Sequence, residues 1–364
     1  MRPEFKIFRS IDWGIPILAG ILFSLGLAIL YSASFQKVQE TGVHFPLRQA
    51  GWFLLSCIAF IFTALYPYRK LVHLAYPLYL VNILLLILTL LLGLVRFGAQ
   101  RWLALGGFIF QPSELSKLVV TLTLAQYMGH QRERISSFRG TIIPITLTAI
   151  PVLLIALQPD LGTALTLVPI LFSLFLAAEV RFRWILFWLS LGLLCTPLLW
   201  FLMKEYQRDR LIVFINPNVD PLGAGYTIIQ SKIAIGSGGF FGKGWLAGTQ
   251  NQLNFLPERH TDFIFSVIGE EWGFAGAMIL LLLYFWLIRK LVEIIQQTHD
   301  PYGRLLGVGI TTMIAVHVVV NIGMTAGILP VVGLPLPFVS YGGSNLLTIM
   351  VGLGIMVNIQ RRNA

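Results

Sequence analysis

Charge is what this sequence has least of. Only 12% of its 364 residues are Asp, Glu, Lys or Arg, while 56% are hydrophobic. A soluble globular surface needs about twice that charge density, so a water-soluble domain is excluded. Cysteine is nearly absent as well. Cys57 and Cys195 both sit inside apolar runs, where they read as small buried hydrophobes, neither a disulfide pair nor a metal site. There is no internal repeat and no low-complexity tract. The net charge of +10 suggests nucleic acid at first, but no stretch combines dense basic charge with aromatics on a soluble module. Nucleic acid is therefore not an expected partner.

Long apolar runs are what the sequence does have. They fall at 13–32, 52–66, 74–95, 112–128, 142–157, 161–178, 184–203, 263–288, 305–329 and 342–359. At about 20 residues per span, they predict an all-α integral membrane protein of about ten transmembrane helices, one polytopic domain over 1–364. The first run is too long for a signal-peptide core and lacks a small-residue cleavage site, so it reads as helix one. Fifteen Lys and Arg residues occupy one set of compartments, from Arg2, Lys6 and Arg9 through Arg69, Arg132 and Arg304 to Arg361 and Arg362. The other side's short connections hold four: Lys37, Arg48, Arg96 and Arg101. That asymmetry predicts cytoplasmic termini. The one long connection, about 204–261 between helices seven and eight, then faces outward. Its segment 226–235 reads as a short amphipathic helix on the membrane surface.

Chemistry-bearing residues gather on the expected outer side. The glycine-rich stretch Gly236–Gly244 fails the phosphate-loop pattern, because Ser237 stands at the first glycine and Gly244 follows Lys243 where Ser or Thr belongs. It reads as a flexible turn. LPERHTD (256–262) ends the long loop, with Asp262 in the first turn of the eighth helix. There Thr261 or Asp262 can cap the helix, or the helix N-terminus can hold Asp262 ionised as a base or metal ligand. Asp262, Ser266, Gly269, Gly273 and Gly276 share one face of a continuous helix, a groove running down from Asp262. Glu270 and Glu271 lie deeper, where a carboxylate needs a partner.

QPSELSK (111–117) opens the fourth helix, with Pro112 suited to the first helical position. Glu114 and Lys117 are spaced for an internal ion pair, yet an intramembrane cation also marks a site. Together with Arg48, Arg96 and Arg101, Lys117 can form a basic pocket for phosphate. Asp160, in the turn QPDLG (158–162), is an N-cap or a site residue. Non-helical backbone at membrane depth, as in PVVGLPLPFVSYGGS (330–344), is tolerated where it lines a cavity. Ser340 and Ser344 of this segment join the candidate substrate-binding residues.

Two stretches, GKGWLAGTQNQLNFLPERHTDFIFSVIGEEWG (242–273) and GILPVVGLPLPFVSYGGS (327–344), are in combination diagnostic. The chain resembles the SEDS family (shape, elongation, division and sporulation) of bacterial peptidoglycan glycosyltransferases over nearly its whole length. PERHTDFIF and GLPLPFVSYGGS are closer to the elongation type than to the division type. Asn345 departs from the second serine usual after SYGGS. The resemblance implies polymerisation of lipid II at the outer face of the bacterial cytoplasmic (inner) membrane, with membrane lipids around it. It places the essential aspartate at Asp262 and other cavity positions at Arg48, Arg101, Glu114, Lys117 and Asp160. It further implies a class B penicillin-binding protein as transpeptidase partner. Asp262 would act as base directly or through a divalent cation, Mg or Mn. Competing expectations are a lipid II flippase, for which Glu270 and Glu271 are the best support, and a non-catalytic scaffold of the elongation machinery.

Overall fold

The computed structural model describes residues 13–96, 99–105, 108–223 and 225–363. Arg2, Lys6 and Arg9, part of the charge asymmetry, lie outside the described residues, as does the side chain of Arg96. The chain is a helical bundle: α1 (Gly14–Thr41), α2 (Phe45–Leu65), α3 (Tyr68–His73), α4 (Ala75–Leu92), α5 (Pro112–His130), α6 (Arg132–Ile135), α7 (Phe138–Leu157) and α8 (Leu161–Ala177). It continues with α9 (Phe182–Leu202), α10 (Glu205–Ile215), α11 (Tyr226–Ser237), α12 (Thr249–Gln252), α13 (Ile264–Glu271), α14 (Gly273–Gln297), α15 (Pro301–Thr325) and α16 (Gly343–Asn363). A helix lies on each of the ten apolar runs. α1, α2, α4, α7, α15 and α16 are long and apolar enough to cross a membrane, and α8 and α9 contain shorter apolar helices.

Helix α5 is the polar exception, and packing explains it. Fourteen of its 19 residues are buried, among them Glu114, Ser116, Lys117 and the two threonines Thr121 and Thr123. A helix enclosed by other helices need not match lipid, provided each polar group finds a partner. The ends follow local chemistry. Asp160 and Asp300 cap α8 and α15 by accepting the backbone N–H of Thr163 and Gly303, and Pro112 and Pro301 open their helices. Between α4 and α5 lies an antiparallel three-stranded meander absent from the expected architecture: β1 (Leu94–Arg96), β2 (Ala99–Leu105) and β3 (Phe108–Phe110). It carries Arg101.

The eighth apolar run is not one helix. It breaks at Trp272, with Gly273 at φ +66°. A break leaves backbone groups without helical partners, which in a membrane must be satisfied by protein. The glycine-rich stretch supplies them: Lys243 and Gly244 N–H donate to the Glu270 and Glu271 carbonyls at 3.0 Å each. The N–H groups of Phe274 and Ala275 donate to the carbonyls of Gly239 and Phe240 at 3.0 and 2.9 Å. Glycine is required by contact. A Cβ at Gly238 would lie 1.9 Å from the Gly269 carbonyl oxygen, and one at Gly242 2.2 Å from that of Glu271. The expected flexible turn is thus an ordered plug. The expected continuous groove does not exist either: Ser266 donates to Ser231 (2.6 Å), and Gly269 is covered by Ile235.

The two glutamates tie the long loop down. Glu270 pairs with Lys243 at 2.8 Å and accepts from Thr249 and from the N–H groups of Gln250 and Asn251. Glu271 accepts from Ser32 at 2.6 Å, Asn251 at 2.9 Å and the Leu246 N–H. Helix α11 does not lie free on a membrane surface. Its buried face of Ile228, Ser231 and Ala234 turns inward, and Ser231 donates to the Thr325 carbonyl at the end of α15. The long loop is therefore a packed wall of one end of the bundle.

Candidate active site

Asp262 sits in a tight turn just ahead of α13, outside the helix. The turn closes on one carbonyl, since the N–H groups of Thr261, Asp262 and Phe263 all reach the oxygen of Glu258, whose φ is +47°. Asn321 of α15 holds the Asp262 carbonyl (2.9 Å) and also that of Leu334 (2.7 Å). The segment after α15 packs behind the carboxylate. Gly333, at φ +72°, brings its backbone so close that a Cβ there would stand 3.2 Å from an Asp262 carboxylate oxygen.

A cavity of about 260 Å³ opens above this turn, lined by Tyr206 and Arg210 of α10, Thr227 of α11, and Glu258, Asp262 and Val331. Among the residues predicted for the site, Asp262 alone lines it. Burial, with the nearby negative charge of Glu258, raises the Asp262 pKa from the ordinary carboxylate value to about 6. Arg210, the Thr261 hydroxyl and Arg101 oppose that rise. His260 is no competing base. Burial with Lys37 and Arg259 nearby depresses its pKa to about 3, and its ring packs against Phe45.

Ser340 is structural support for the turn. Its hydroxyl donates to the Thr261 carbonyl (2.5 Å) and accepts from the Leu336 N–H (2.8 Å), and Tyr341 N–H donates to the His260 carbonyl. Gln49 clamps the same segment from α2, donating to the Ser340 carbonyl and accepting from the Gly342 N–H. Arg48, beside it, is exposed in the first turn of α2, which begins seven residues before the apolar run.

The remaining predicted residues form two further groups. In one, Asp160 accepts from Gln111 (2.9 Å) and Ser113 (3.1 Å) and lies 3.9 Å from Arg101. Arg101 also donates to the Pro159 carbonyl, and Ser344 accepts from the Gln111 N–H. In the other, Lys117 is fully buried between Glu114 at 2.9 Å and His317 Nε2 at 2.6 Å. His317 Nδ1 lies 3.1 Å from the Pro335 carbonyl, so it carries the proton there and Nε2 accepts from the ammonium. Asn345 donates to Glu114 at 2.7 Å. The expected open phosphate pocket around Lys117 is closed in this structure, since its ammonium is already engaged.

Sequence reasoning missed Arg210, Asn321 and His317. Arg210 was one basic residue among six on the long loop. His317 and Asn321 stand four apart on one face of α15, polar side chains in an apolar run, which is a legible signal. Because Lys117 and Glu114 are enclosed together, removing one leaves the other's charge stranded, which typically costs about 3–5 kcal/mol. Lys117→Met should therefore lower the Tm of the purified protein sharply, and adding Glu114→Gln should recover much of it. Strictly additive losses in that cycle would contradict the coupling.

Residues 12–364 match the FtsW/RodA/SpoVE model, described as cell cycle protein. The chain is 45% identical over 347 residues to peptidoglycan glycosyltransferase MrdB of Escherichia coli (strain K12), covering 94% of this chain and 91% of that protein. It is 37% identical over 365 residues to a probable peptidoglycan glycosyltransferase FtsW of Trichlorobacter lovleyi, covering 97% and 94%. Among solved structures, it is similar to a chain of a peptidoglycan synthase complex described as coordinating polymerization and crosslinking (TM-score 0.82, 36% identity, 97% and 98% covered). It is also similar to the rod shape determining protein RodA of Thermus thermophilus (TM-score 0.73, 32% identity, 97% of each chain). This chain belongs to the FtsW/RodA/SpoVE family of multi-pass membrane proteins.

Proposed function

We propose that this protein is a peptidoglycan glycosyltransferase of the elongation type that polymerises lipid II, with Asp262 as the general base. The observation that carries the reading is the Asp262 carboxylate at the cavity floor, with a pKa near 6 and Arg210 on the same wall. A base is most effective when its pKa lies near the working pH. Asp262 would take the proton of the attacking sugar hydroxyl as that oxygen displaces the polyprenyl pyrophosphate, inverting the donor linkage to β-1,4. Arg210 and Arg101 would stabilise the departing negative charge, with Arg48 as an exposed cation at the approach. Lys117, Glu114, Asp160, Ser340 and Ser344 would act by holding that arrangement. Asp262 and Glu258 repel one another across the cleft, so they fit a divalent cation bound otherwise by water; such an ion, Mg or Mn, would supply Lewis acidity there.

The one polytopic domain would place both termini in the cytoplasm and the cavity on the outer face of the inner membrane, as the Lys/Arg asymmetry favours. With the endogenous cysteines replaced, Leu222→Cys should react with an impermeant thiol reagent on intact cells and Glu133→Cys should not. The reverse pattern would place the cavity inside. A class B penicillin-binding protein is the expected transpeptidase partner. The flippase alternative has less to rest on, because Glu270 is engaged by the loop and Glu271 by the loop together with Ser32 of α1.

Purified protein in detergent, where no membrane separates two sides, tests the enzyme reading. It should convert lipid II to glycan polymer, with a rate that rises with pH through about 6 as Asp262 loses its proton. No polymer under these conditions, with folded protein and any required partner supplied, would favour the carrier or the scaffold.

A further inference from the structure

A second cavity, of about 280 Å³, lies at the end of the bundle opposite Asp262. It forms where α5 and α8 end and α15 begins, and Arg132, Ser136, Glu179 and Arg304 line it over an apolar floor of Met128 and Leu305. Met128 and Leu305 are themselves buried. Among the described residues, neither arginine forms an ion pair within 4 Å, and Glu179 forms none either. The cavity therefore presents two cations and one anion, all three exposed and without an ion pair among the described residues.

Glu179 adds a further observation. It follows α8 at φ +58°, the left-handed position after a helix end where glycine is favoured because any Cβ is disfavoured there. A glutamate in that position exchanges backbone ease for a carboxylate at the cavity edge. The ends of α5 and α8 and the start of α15 meet here. Basic pockets between helix ends are characteristic sites for phospholipid headgroups. Leu176, 61% exposed and next to the lining residue Ala177, offers an apolar wall beside the cavity.

We infer that this cavity binds the headgroup of an aminophospholipid, with the phosphate between Arg132 and Arg304 and the ammonium against Glu179. The acyl chains run outside along the apolar face of α8. A soluble phosphate or phosphoethanolamine would satisfy the same polar groups but would leave the apolar wall unused.

The test uses the purified, delipidated full chain in detergent, with dioleoyl phosphatidylethanolamine, phosphatidylglycerol or phosphatidylcholine added to the micelles. Lipid retention is read by native mass spectrometry and stabilisation by Tm. Phosphatidylethanolamine should be retained best. Arg132→Gln with Arg304→Gln should reduce retention of phosphatidylethanolamine and phosphatidylglycerol at least about tenfold, as loss of charge-assisted hydrogen bonds implies. Glu179→Gly relieves the left-handed backbone, so it should fold with an equal or higher Tm yet lose the preference for phosphatidylethanolamine over phosphatidylglycerol. Unchanged retention in the double arginine variant, or an unchanged preference in Glu179→Gly, overturns the inference. Stabilisation by inorganic phosphate or free phosphoethanolamine equal to that by the lipid overturns it in favour of a soluble ligand.

Discussion

A carboxylate taken away from water must be given donors or a cation, and that constraint shapes this bundle more than any other. Glu114 has Lys117 and Asn345, Asp160 has Gln111, Ser113 and the Thr163 N–H, and Glu270 has Lys243, Thr249 and two backbone amides. Glu271 has Ser32, Asn251 and a third amide. Each set joins segments distant in sequence, so satisfying the charge also fixes the fold. Such pairs contribute little net stability against an apolar core, and breaking one is costly. Asp262 differs. Its backbone is held on both sides, while its carboxylate faces a cavity where Glu258 opposes its charge. The protein restrains this residue without neutralising it, which is the condition a base requires.

The same constraint explains the long loop. A break in a bundle helix exposes carbonyls and amides that lipid cannot satisfy. The break at Gly273 persists because the glycine-rich stretch meets those groups directly, with Gly238 and Gly242 allowing the approach. The loop that plugs the break also supplies Arg210 and the α11 wall of the Asp262 cavity. Removing the loop would undo the bundle and the site together.

Much of this was legible in the sequence. Apolar run length located all ten helical segments, and of the residues the polar motifs offered for the site, Asp262 lines the cavity. What escaped was what depends on contact. The 263–288 run is apolar enough to read as one helix, and only the glycine plug makes its break affordable. Lys117 reads as an open cation because its partner His317 is 200 residues away. Arg101 rests on a strand within a connection too short to announce a sheet. Asn345, the departure from the usual serine, turns out to donate to Glu114.

Asp262→Asn is the most direct test of the central claim, read for activity and stability on one preparation. Because the Asp262 pKa of about 6 lies above its unfolded value of about 3.9, folding disfavours its charge. The native state is unpenalised below the unfolded pKa and loses stability as pH rises through about 6. Asparagine removes that penalty. The variant should therefore have a higher Tm at pH 7, with the gain disappearing below about pH 4, while polymerisation of lipid II falls by about 10²–10⁴-fold. Near-wild-type polymerisation by a folded Asp262→Asn protein would contradict the account.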